Sequence, residues 1–194
     1  MQLPVESSRP SKFTNAQTIL YEIAMLRFTA GDLAKADTND PSSWRNLECF
    51  LLHFRNLIEF FGRPKPSRVD DLNIRKPEKI WPDPATRPSA DALTPLCRKD
   101  LFEKYEVRDK AQVDDKISRY LQHCTEQRVE GKSWRVDEMF KELEPLMSKF
   151  EELVPDKDRF WRDLLNRNRV IGLVPGATCT TVSLPSSPSG VFRT

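Results

Sequence analysis

Apolar side chains recur at helical spacing in several stretches of the chain, and the breaks between them fall at glycine, proline and short polar runs. Ile19, Ile23, Leu26, Ala30 and Leu33 step by four and three residues, the period of one helix face. Thr14 or Asn15 supplies a side-chain oxygen for an early helix amide, which places the start of this helix. Gly31 costs about 1 kcal/mol relative to alanine in a helix interior, so the helix is expected to end or fray there. Asp40-Pro41-Ser42-Ser43 then opens a second helix, because proline suits a first helical position where its missing N–H would be unpaired anyway. From Trp44 to Phe61 the chain is at its most apolar. Leu47, Phe50, Leu51, Phe54, Leu57, Ile58 and Phe61 form one broad face, and Cys49, Leu52 and Phe60 add apolar groups on the other side. A helix apolar nearly all round belongs at the centre of a core, and Gly62 and Pro64 stop it.

Residues 63–95 hold seven prolines and little periodicity, and are expected to form a long loop anchored by Ile80-Trp81. A short helix is expected over Leu96–Tyr105, with Leu101 and Phe102 inward. Asp109–Gln127 reads as a longer helix carrying Val113, Ile117, Tyr120, Leu121 and Cys124. After Gly131, Phe140, Leu143, Met147, Phe150 and Val154 keep the helical period, with Pro145 expected to kink the element. Asp156 can cap a last piece bearing Phe160, Trp161, Leu164 and Leu165. Beyond Val170 the chain turns to Gly, Pro, Ser and Thr, a composition that cannot offset the entropy of ordering. No strand alternation or internal repeat stands out. The expectation is an all-α fold: a disordered arm over 1–13, a four- or five-helix bundle over 14–169 with a Pro-rich loop at 63–95, and a disordered tail over 170–194.

Charge narrows the function classes. The 31 basic and 29 acidic residues nearly cancel, to +2, which is no footprint for a generic nucleic-acid binder. The N-terminus has neither a basic start nor an apolar core, and no run approaches the roughly 20 apolar residues of a membrane span. Cys49, Cys97, Cys124 and Cys179 lie far apart with only two histidines in the chain, so neither a zinc site nor any other metal site is expected. Reduced cysteines suit the cytoplasm. The glycine-rich nucleotide motifs and the nucleophile elbow are missing, and no cofactor is expected.

The two histidines carry the remaining chemistry. His53 sits at the edge of the broad apolar face, and Asp115, Arg119 and His123 share one stripe of the later helix at steps of four. If those helices pack together, His53, His123, Arg119 and Asn56 can meet. A histidine beside arginines can move a proton or hold a phosphate. The competing reading is a pair of satisfied, half-buried helix residues, and it is the more common case.

The block Leu47-Glu48-Cys49-Phe50-Leu51-Leu52-His53-Phe54-Arg55-Asn56-Leu57-Ile58-Glu59-Phe60-Phe61, with Asp115-Lys116-Ile117-Ser118-Arg119-Tyr120-Leu121-Gln122-His123-Cys124-Thr125, resembles an uncharacterised bacterial helical family. That family is in turn distantly similar to HEPN domains, helical bundles that include toxin and defence ribonucleases with an arginine and a histidine separated by a short spacer. The resemblance implies a helical bundle and makes His123, Arg119 and His53 the candidate catalytic residues. Here Arg119 precedes His123 by a shorter spacer than that motif has. Lys116, at a fitting distance, lacks the planar fork that grips a phosphate. The leading expectation is therefore a non-enzymatic interaction or assembly module with a protein partner or a second copy of itself. The alternative is an atypical HEPN-like ribonuclease, or a nucleotide- or RNA-binding domain, of a bacterial defence or toxin system.

Overall fold

The computed structural model describes residues 14–36, 41–66, 68–106, 117, 121, 133–155 and 157–162, and every regular element among them is helical. The protein is all-α. By its internal contacts the chain divides into two units, Met1–Lys157 and Asp158–Thr194. The first holds helices α1 (Asn15–Leu33), α2 (Pro41–Gly62), α3 (Pro77–Ile80), α4 (Ala90–Leu93), α5 (Lys99–Glu106) and α6 (Val136–Glu152). In the second, helical backbone is described as far as residue 162. The expected arm at 1–13, the tail at 170–194 and nearly all of the expected helix at 109–127 lie outside the described residues. Ile117 and Leu121 of that helix are described; both are helical, and Ile117 is buried.

Helix α1 begins where the sequence places it. The Thr14 hydroxyl accepts from Gln17 N at 3.2 Å, while Thr14 N donates to Gln17 Oε1 at 3.0 Å, so two otherwise orphaned amides are satisfied at once. The helix passes through Gly31 to Leu33. It buries Ile19, Leu20, Ile23 and Leu26 against α2 and α6. Helix α2 packs against α1, α5 and α6, and from Phe50 to Gly62 it is buried on most sides. Two of its large apolar residues depart from the expected all-round burial: Trp44 is 56% exposed and Leu52 44%.

The C-terminal end of α2 explains how the segment after it is tied to the bundle. A helix ends with four carbonyls that lack intrahelical partners. Phe60 O accepts from Ile74 N and Phe61 O from Arg98 N, each at 3.1 Å. Just beyond, Arg63 O accepts from Asn73 Nδ2 at 2.8 Å. The Asn73 side chain also accepts from Arg75 N at 2.9 Å, so this buried amide spans the turn. Gly62 lies so close to α5 that an added Cβ would stand 2.6 Å from both Arg98 O and Phe102 Cβ. The segment expected as a long loop anchored by Ile80-Trp81 does bury both of those residues, with Ile74 and Leu93, but it also contains two single-turn helices and leads into a 3-10 turn (Thr94–Leu96).

Helix α6 runs unbroken through Pro145, whose ring is exposed. Leu143, Leu146, Met147 and Phe150 are buried on both sides of the proline and hold the helix against the bundle. Phe150 meets Phe60, Phe61 and Trp81 at centroid distances of 5.4, 6.1 and 5.7 Å, which makes the aromatic centre of the core. No described helix is long and apolar enough to cross a membrane.

Candidate functional site

Of the sequence-predicted site residues, the structure describes His53 and Asn56, both on α2; Arg119, Lys116 and His123 lie outside the described residues. His53 is buried, with 8% of its surface exposed, and its Nδ1 stands 2.8 Å from Glu22 Oε2 on α1. A carboxylate only accepts, so Nδ1 carries the proton in this contact. The same Glu22 oxygen accepts from Asn56 Nδ2 at 3.0 Å. One carboxylate of α1 is thereby held by two side chains one turn apart on α2. The Tyr21 ring stands edge-on to the imidazole, with centroids 6.3 Å apart.

An imidazole fixed through Nδ1 by a carboxylate is the arrangement that orients histidines in catalytic and metal centres. Such a centre also needs something for Nε2 to act on. Among the described residues no serine, cysteine or second histidine is hydrogen-bonded to this imidazole, and no three His, Cys, Asp or Glu side chains come together as a metal cluster. What the described atoms accomplish is a satisfied polar bridge across the α1–α2 interface, which fixes how the two helices face each other. Sequence reasoning missed Glu22 as the partner. Its signal was present: Glu22 lies three residues after Ile19 and four before Leu26, at the rim of the apolar face of α1.

Two further polar clusters tie elements together. Arg27 on α1 donates to Glu151 Oε1 at 2.6 Å and to Glu144 Oε1 at 2.9 Å on α6. Burial opposes its charge, yet the hydrogen bonds to Glu144 and Glu151 outweigh that and raise the pKa of the guanidinium further. On α5, the Tyr105 hydroxyl donates to Glu142 Oε2 at 3.0 Å, and Lys104 pairs with the same carboxylate. Burial first, and the Glu142 contact second, push the Tyr105 phenol above its usual range.

A groove of about 660 Å³ opens where the end of α1 meets the start of α6, lined by Ala30, Leu33, Ala34, Trp134, Val136 and Phe140 among others. A second, of about 460 Å³, lies along the turn after α2.

Fold and geometry define an all-α helical domain whose described histidine serves as an interhelical bridge. No family model matches the sequence, and no curated protein or solved structure matches it either.

Proposed function

We propose that this chain is a non-enzymatic helical interaction module that docks a protein partner, or a second copy of itself, through the outer face of its N-terminal helix pair. The observation that carries the reading is the stripe of α2 holding Trp44 and Leu52. They are eight residues apart on one side of the helix, and both are exposed. Phe28 on α1 is 62% exposed as well. Large apolar groups presented to water on helices whose other faces are filled are the usual makings of a protein contact. The buried His53 bridge favours this reading over the alternative of an RNA-directed site using His53, Arg119 and His123, because its Nδ1 is already occupied by Glu22. A cytoplasmic setting goes with the proposal, supported by the unbonded thiols of Cys49 and Cys97.

The test is sedimentation of the purified chain over a range of concentrations, beside the variant Trp44→Glu/Leu52→Glu. Wild-type self-association that the variant abolishes supports assembly. For a heterologous partner, the same pair of proteins is compared as bait, and retention must depend on Trp44 and Leu52. A wild type that is monomeric at all concentrations, with no partner lost on substitution, contradicts the reading.

A further inference from the structure

We infer that the turn following α2 is a binding site for phosphate groups, formed by Lys65, Arg68 and Lys76 on a frame built by Asn73 and Arg75. The first ground is charge. Residues 63–79 carry six cations (Arg63, Lys65, Arg68, Arg75, Lys76 and Lys79) against three carboxylates (Asp70, Asp71 and Glu78). The excess of this one turn exceeds the +2 of the whole chain, so the remainder of the protein is slightly acidic.

The second ground is shape. The groove of about 460 Å³ is lined by Lys65, Arg68, Arg75 and Lys76, with Asn73 at its base, and no carboxylate lines it. Its volume falls within the range of small-ligand pockets.

The third is the division of labour among the cations. Arg75 Nη1 donates to Phe61 O and Arg63 O, the Lys79 ammonium to Val69 O, and Arg63 pairs with Glu59 at 3.3 Å. Arg63 and Arg75 hold the turn against the negative end of α2, and Lys79 closes the turn on itself. By contrast, the side chains of Lys65, Arg68 and Lys76 make no ion pair or hydrogen bond to any described residue. Even Asp71, the neighbouring acid, is occupied by the Arg68 backbone amide at 2.8 Å. Like charges gathered on a turn repel one another, and among the described residues no carboxylate pairs with these three side chains to relieve that repulsion. An incoming anion does.

The turn is also prepared for its ligand. Asn73, only 1% exposed, is bonded to the backbone of Arg63 and Arg75, and Ile74 is sunk in the core. The backbone at Arg63 and from Asn73 to Lys76 is therefore set before binding, which lowers the ordering cost. No aromatic side chain lines the groove, so a base has no platform to stack on there. Recognition rests on phosphate and is indifferent to base identity. Phosphate is favoured over carboxylate because its several oxygens can meet a guanidinium fork and two ammonium groups together. A phosphodiester chain and a free oligophosphate share this chemistry.

The experiment measures binding of the full chain to a fluorescent single-stranded oligonucleotide by anisotropy, and to inorganic tripolyphosphate by calorimetry. It compares wild type, Lys65→Glu/Arg68→Glu/Lys76→Glu, and a control reversed elsewhere, Lys35→Glu/Arg45→Glu/Lys141→Glu. Wild type and control should bind at least one probe equally. The groove variant should lose about tenfold or more, and for the oligonucleotide the slope of log affinity against log salt should fall by about 2. Loss confined to the oligonucleotide assigns a phosphodiester ligand; loss of tripolyphosphate binding assigns a free oligophosphate. Neutralising all three residues to glutamine gives a second variant in case the reversal disturbs folding, with circular dichroism as the check. No binding of either probe by wild type overturns the inference. So does equal loss in the control, or an oligoglutamate peptide that binds as tightly as the phosphate probes.

Discussion

Gly31 and Gly62 are both helical glycines of the α1–α2 pair, and they should answer substitution with opposite signs. Nothing stands within 4 Å of a Cβ added at Gly31, so Gly31→Ala should stabilise by about 0.5–1 kcal/mol through lost backbone freedom in the unfolded chain. At Gly62 the same methyl meets Arg98 O and Phe102 Cβ at 2.6 Å, so Gly62→Ala should cost about 1–3 kcal/mol as α5 is forced outward. Urea unfolding with an unchanged m-value reads both. A glycine closing an apolar run reads in the sequence as a helix stop, and Gly62 is one. That it also admits another helix is invisible until residues 98–102 are placed, because the contact is between segments far apart in the chain. Tyr105 is a second residue-scale case. Its phenol is raised in the folded state, so its contribution to stability is complete below the unfolded value near pH 10 and is lost as pH rises through the folded one. In an alkaline absorbance titration Tyr105→Phe should remove a late-ionising tyrosine and flatten the high-pH loss of stability. A native titration without a late phenol would contradict this.

Among the elements, α1, α2, α5 and α6 were legible because each shows an apolar face at helical period, and Thr14 marks a start that the structure reproduces. The single turns α3 and α4 were not. Their signals are local, Pro77 at a first helical position and Ser89 accepting from Ala92 N at 3.3 Å, and their order comes from burying Ile80, Trp81 and Leu93. Pro145 lies inside a continuous α6, where buried residues on either side outweigh one missing hydrogen bond. The candidate site was half legible: periodicity put His53 at the edge of a buried face, but could not say that Glu22 faces it. Nor does periodicity reveal the pairing of α1 with α6 through Arg27. Arg27→Met should leave Glu144 and Glu151 facing each other without their cation, at a cost of about 1–3 kcal/mol. Replacing both acids by glutamine in the same chain should recover much of that loss. A triple variant no more stable than the single one would show that the three groups do not act as a unit.

At the scale of the whole molecule, the two proposed contact regions lie along one rod. Trp44 and Gly62 stand about 27 Å apart along α2 at 1.5 Å per residue, so the exposed Trp44 and the basic turn that follows Gly62 lie toward opposite ends of that helix. Near-neutral total charge concealed the second of these, because an average over 194 residues cancels a local excess. Substitutions on the stripe and in the turn are therefore separable tests.

The handover of the last α2 carbonyls to Ile74 and Arg98 bears on how the protein is made. As the chain emerges from a ribosome, the central helix cannot be finished at its own last residue. Its end stays dependent on water until some 36 further residues have followed, from Gly62 to Arg98. A nascent chain or a proteolytic fragment that stops at the end of this helix would carry the most apolar segment of the protein without its terminal partners. Such a piece should bind a chaperone more readily than the full chain does.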